Sequence, residues 1–187
     1  MGISEKNIEK LEALAFLVAV IDGITEEEGF ELDMFAGRIR GFYALRKAIE
    51  VHEKTGDIDK AMTHVSGAPV VHTIMSFGAP QHIQKIQDEL DGAVKDSENP
   101  IDEYDALLKI KASEINDEFD QKLSLMFIED AISRDGTSEH EMRALLTLSR
   151  AWGISRIQVN KWFNDHFNPI LKRANKLEPN FDSKVKK

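Results

Sequence analysis

An apolar helical run that ends in Asp-Gly, followed at once by a hydroxyl-capped acidic helix, occurs twice in this chain. The first copy runs from Phe16 to Ile21 into Asp22 and Gly23, then Thr25, Glu26, Glu27 and Glu28. The second runs from Met126 to Ile132 into Asp135 and Gly136, then Thr137, Ser138, Glu139 and Glu141. A helix–turn–helix phrase repeated near both ends constrains the chain to helical hairpins whose apolar faces close on one another. Thr25 with Glu28, and Ser138 with Glu141, have the capping-box spacing. The hydroxyl accepts from the third helical amide, and the glutamate reaches back to the cap amide. Glu26, Glu27 and Glu139 suit the positive end of a helix dipole. Gly23 and Gly136 permit the positive φ that turns the chain. Asp22 and Asp135 stand at the hinges, where a carboxylate can accept exposed amides.

The rest of the chain keeps a helical rhythm. Ile8, Leu11, Leu14, Ala15, Val18 and Ile21 recur at threes and fours, which predicts an increasingly buried helix over 4–21. A second helix is expected from Thr25 to about Lys54, with Phe30, Met34, Ile39, Phe42, Leu45 and Ile49 inward. In it, Gly37 and Gly41 allow a close helix approach or a bend. Asp57 can cap a short helix to His64, and two Gly-Ala-Pro turns then enclose the apolar piece Val70 to Phe77. Helices follow from Pro80 to Ala93 and from Ile101 to about Ser133, the latter long enough that a break near Asn116 is considered. Helices from Glu139 to Trp152, from Arg156 to His166 and from Pro169 complete the pattern, and no strand has period-2 alternation. The expected fold is all-α: a single domain over 4–176 with seven to nine helices. Two pseudo-repeated hairpin halves flank a helical insertion at 60–105, and 177–187 form a loose basic tail.

Composition narrows the function. The formal net charge is −9, from 24 basic and 33 acidic residues, which disfavours nucleic acid or an anionic membrane as partner. Nine bases against three acids from Arg150 onward leave an acidic body with a basic end. With no cysteine there are no disulfides, thiolate zinc sites or cysteine nucleophiles. Glu5, Glu9 and Glu12 interrupt anything resembling a signal peptide, and Ala13 to Ile21 is too short to span a bilayer. A cytoplasmic protein is expected.

The acidic turns are the candidate functional residues. Asp22, Glu26 and Glu28, with Asp135, Glu139 and Glu141, could furnish oxygen ligands for a hard divalent cation. An EF-hand is excluded: with Gly23 or Gly136 at its sixth position, the required acids would be Val18 and Val20, or Ala131 and Ser133. Trp152, Gly153, Ile154 and Ser155 close the second copy after Leu145, Leu148 and Ser149. This framed duplication resembles the TerB-like tellurite-resistance family, over roughly 10–50 and 120–165 but not 60–105. The resemblance implies an all-helical fold with halves related by pseudo-symmetry. It also implies a stress-response role without enzymatic activity, and metal binding through acidic residues; calcium, zinc and manganese are the candidate ions.

Other motifs point elsewhere. Gln158 to Asn164 has the look of a homeodomain reading helix, but Asp165 and Phe167 stand where that helix needs Asn and Arg. Trp162, Phe163 and Phe167 therefore read as core anchors. His64, His72 and His82 lack the spacing that puts two imidazoles on one helix face. No nucleophile elbow or phosphate-cradling loop occurs. A metal-free scaffold that binds a protein partner or homodimerises is the alternative to the cation-binding module.

Overall fold

The computed structural model describes residues 4–57, 59, 60, 63, 80–133 and 136–168. Among them the chain is all-helical, with seven helices and no strand: α1 (Glu5–Ala19), α2 (Glu26–Thr55), α3 (Gln81–Val94), α4 (Pro100–Ser113), α5 (Glu118–Ile132), α6 (Glu139–Trp152) and α7 (Arg156–His166). Central to the packing is α1, which touches every other one of these helices except α7. Its composition explains the position, since Ile8, Leu11, Leu14, Leu17 and Val18 are at most 1% exposed and Ala13, Ala15 and Ala19 are buried as well. Each fully buried Leu or Ile contributes roughly 1.5–3 kcal/mol of transfer free energy. The others close around it, with α4 against α3 and α6, and α5 against α2, α6 and α7.

Local chemistry sets the helix ends. Ser4 caps α1 through the Asn7 amide, 3.2 Å from its Oγ. Thr25, Ser138 and Ser155 each form a complete capping box. Gly56 and Gly153 end α2 and α6 in the left-handed conformation. The stretch from Ile101 to Ser133 is two helices, with the break beside Asn116 where its length allowed one. Asp117 separates them by accepting the Phe119 and Asp120 amides at 2.9 and 3.2 Å, so α5 starts afresh at Glu118.

The buried face of α2 differs from the expected one. Ile39 and, half-buried, Phe42 lie inward as expected, but Phe30 and Met34 are exposed at 58% and 38%, and Glu28, Glu31 and Phe35 take inward places instead. Two of these inward positions carry carboxylates, so an apolar pattern alone drifts onto Phe30 and Met34. Nor do Gly37 and Gly41 serve a close approach among the described residues: a Cβ at either would meet nothing within 4 Å.

The segment expected as an insertion contributes α3 and the start of α4, and Ile86 and Tyr104 from it lie in the common core. Toward the C-terminus, Phe167 is 1% exposed. Around it gather Phe42, Phe119, Trp162 and Phe163, with ring centroids 5.0–6.1 Å from that of Phe167, so the aromatic anchors are as expected. The short helix to His64 falls largely outside the described residues. The apolar piece from Val70 to Phe77, the helix from Pro169 and the tail lie outside them altogether.

Candidate acidic site at the helix corners

Both acidic helices begin at the same kind of corner. Gly23 and Gly136 have φ of 102° and 109°, values that a residue with a Cβ adopts only under strain. After each, the capping hydroxyl starts the helix. At the first corner the Glu28 amide donates to Thr25 Oγ1 at 3.3 Å, and Glu28 Oε2 accepts from the Thr25 amide at 2.9 Å and its hydroxyl at 3.1 Å. At the second the Glu141 amide donates to Ser138 Oγ at 3.1 Å, and Glu141 Oε2 accepts the Ser138 amide at 2.8 Å.

The capping glutamates are the residues that the fold brings together. Glu28 and Glu141 are each 2% exposed, and the Glu28 carboxyl stands close enough to the Glu141 carboxyl to raise it. Two ionised carboxylates have no donor between them, so this arrangement requires a proton or a cation. Glu141 Oε1 is buried without a hydrogen-bond partner among the described residues. Burial, and then the neighbouring Glu28, push the Glu141 carboxyl up to about 7.

Further groups join the pair from α4. The Tyr104 hydroxyl donates to the Leu17 carbonyl at 2.7 Å, tying α4 to the end of α1. Burial raises the Tyr104 phenol, and the charges of Asp105, Glu141 and Asp22 raise it further. Asp22 and Glu141 thus act on one phenol although they are 119 positions apart in the sequence (141 − 22). Beside Tyr104, Asp105 Oδ2 pairs with Arg143 Nη2 at 2.6 Å while its buried Oδ1 has no partner among the described residues. The charge of Arg143 opposes these acids and lowers the Tyr104 phenol.

Of the six acids expected as ligands, Glu28 and Glu141 meet. Asp22 is exposed at the hinge and reaches the cluster through its field. Glu26 and Glu139 are exposed in the first helical turns. Asp135 lies outside the described residues. Among the described residues no three His, Asp or Glu side chains converge closely enough to hold a metal ion. Tyr104, Asp105 and Arg143 were not anticipated. Tyr104 was visible only as an apolar-stripe residue, and Asp105 closes the segment set apart as an insertion.

Two other buried polar contacts lie away from this cluster. Tyr43 donates to Asp120, whose carboxyl is raised chiefly by burial. His82 Nε2 stands 3.0 Å from Glu12 Oε2 and links α3 to α1. His64 and His72 lie outside the described residues. No helix among the described residues is long and apolar enough to cross a membrane. No protein-family model matches the chain, and neither does any curated protein or solved structure.

Proposed function

We propose that this protein is a TerB-like, non-enzymatic stress-response and interaction module that holds a divalent cation at the junction of α2 and α6. The observation that carries the reading is the buried meeting of Glu28 and Glu141, with one carboxylate oxygen left without a partner. Burying two carboxylates against each other costs several kcal/mol unless a positive charge intervenes. A cation accomplishes that and uses the free lone pairs. Every donor at the junction is oxygen, so calcium or manganese suits it better than zinc, which favours nitrogen and sulfur. Asp22 at one hinge and Asp105 on α4 complete the negative field. Asp135, at the matching hinge, belongs to the same proposal by sequence.

Native mass spectrometry and calorimetry at pH 8 with calcium, manganese and zinc test this. One equivalent of calcium or manganese is expected, with binding lost in Glu28→Gln plus Glu141→Gln. A wild-type chain that takes up none of the three, or a double variant that binds as before, overturns it.

The second reading is the metal-free scaffold, in which a shared proton replaces the cation. The raised Glu141 carboxyl favours it. On that reading the junction is a structural lock, and function resides on the surface that meets a protein partner or a second copy.

A further inference from the structure

We propose that the outer face of α2 is a self-docking surface, on which a second copy of this chain packs its own α2 antiparallel about a two-fold axis between Phe35 and Ala36. Phe30 and Met34 are exposed one turn apart, at 58% and 38%. Gly37 and Gly41 continue the same line, since at 100° per residue all four fall within an arc of roughly 60°. The space beside both glycines is open, so no packing among the described residues uses the notch they form. Two large apolar knobs are therefore followed by two notches at the same four-residue spacing.

The spacing is mirrored about the midpoint. Reversing the helix there carries Phe30 onto the place of Gly41 and Met34 onto that of Gly37. A second copy turned end for end sets each knob over a glycine, and the absence of a Cβ lets the backbones come close. The contact is isologous, so it closes at two copies. An unrelated helix would fill the notches without needing the mirrored order, which is why the occupant is the chain itself.

Charge selects the antiparallel sense. Residues 26–35 hold five acids and no base, whereas residues 36–47 hold four bases and no acid. Glu26, Glu27 and Asp33 are exposed in the first half; in the second Lys47 is exposed, and Arg38, Arg40, Arg46 and Lys47 present their charge while ion-paired within the chain to Glu31, Asp130, Glu5 and Glu50. Antiparallel packing lays the acidic half of one copy along the basic half of the other, while parallel packing would oppose like charges. The two helix dipoles also run in opposite directions. One helix pair makes a small interface, so association depends on concentration.

Light scattering across a series from micromolar to millimolar chain, with a chelator present, provides the test. The chelator keeps the result separate from the cation reading, which can fail or stand independently. The mass is expected to climb from 21.1 kDa toward twice that value. Gly37→Leu plus Gly41→Leu fills notches that nothing else occupies, so it should hold the mass at one chain while the thermal midpoint stays level or rises. Phe30→Glu should give the same monomer without touching a glycine. A wild-type chain that remains monomeric at millimolar concentration overturns the proposal. So does a dimer that survives both variants.

Discussion

The two corners use the same parts and arrive at different electrostatics. Each has a glycine near φ 105°, a hydroxyl cap and a glutamate three residues on. At the first corner the Thr25 hydroxyl both accepts from the Glu28 amide and donates to the Glu28 carboxyl. At the second, Ser138 Oγ accepts from the Glu141 amide, and Glu141 is left with a buried oxygen that nothing reaches among the described residues. It is Glu141 whose carboxyl is pushed up to about 7. A duplicated motif thus yields two equally buried glutamates, Glu28 with its hydrogen bonds to Thr25 and Glu141 with an oxygen that has no hydrogen-bond partner among the described residues.

The largest test of that likeness concerns what stands behind each corner. Leu17 and Ile132 are fully buried just before their turns. Leu17→Ala and Ile132→Ala should each cost about 2–5 kcal/mol, by lost transfer energy and the cavity left behind. Urea unfolding would measure both. Similar losses support two equally backed corners; a near-silent result at one shows that this corner is a surface ornament.

A smaller effect reads the difference directly. The folded carboxyl of Glu141, at about 7, binds its proton more tightly than the unfolded one, at 4.5. Between those values the folded state holds more protons, so stability is full below about pH 4.5 and is lost as pH rises through about 7. Allowing for solvent screening, the loss is on the order of 1–2 kcal/mol. Urea midpoints of metal-free protein from pH 5 to 8 should fall accordingly, and Glu141→Gln should flatten the slope. A wild-type slope that survives this substitution assigns the titration to another group.

How far these features were legible in the sequence follows from what each depends on. Caps and stops are local. Thr25, Ser138, Ser155, Gly56 and Gly153 carry their own instructions, and the helices they bound were readable from spacing alone. The break near Asn116 was legible from helix length, but its agent was not, because an acid inside a long amphipathic pattern reads as surface until Asp117 is seen to cap the amides of Phe119 and Asp120. The face of α2 is not local. Glu28 and Glu31 occupy inward positions, Glu28 bonded to the Thr25 cap and Glu31 paired with Arg38, and hydrophobic periodicity, which counts neither carboxylate, chose Phe30 and Met34. The candidate site is harder still. That Glu28 and Glu141 meet, and that Tyr104 and Asp105 on α4 join them, depends on packing between elements far apart in the chain. No spacing rule encodes such a contact.

Turn strain should be nearly equal at the two corners. Gly23→Ala and Gly136→Ala each impose a Cβ on a positive-φ residue, at a cost of about 1 kcal/mol. The open space beside both glycines leaves strain as the only penalty. Thermal melts would compare them; a harmless substitution at either position means that this turn relaxes to another conformation.

The smallest effect is also the most specific to the comparison. Removing a hydroxyl cap costs about 1 kcal/mol at either corner, because one helical amide loses its acceptor. Thr25→Ala loses more than that, since the Thr25 hydroxyl also donates to the Glu28 carboxylate at 3.1 Å. A typical hydrogen bond contributes about 0.5–1.5 kcal/mol net, and this long one belongs at the lower end. Thr25→Ala should therefore exceed Ser138→Ala by about 0.5 kcal/mol. Thr25→Ser keeps the hydroxyl and should recover most of the difference. If Thr25→Ala and Ser138→Ala prove equal, the extra donation is energetically idle, and the contrast between the corners must come from their burial against α4 rather than from the caps.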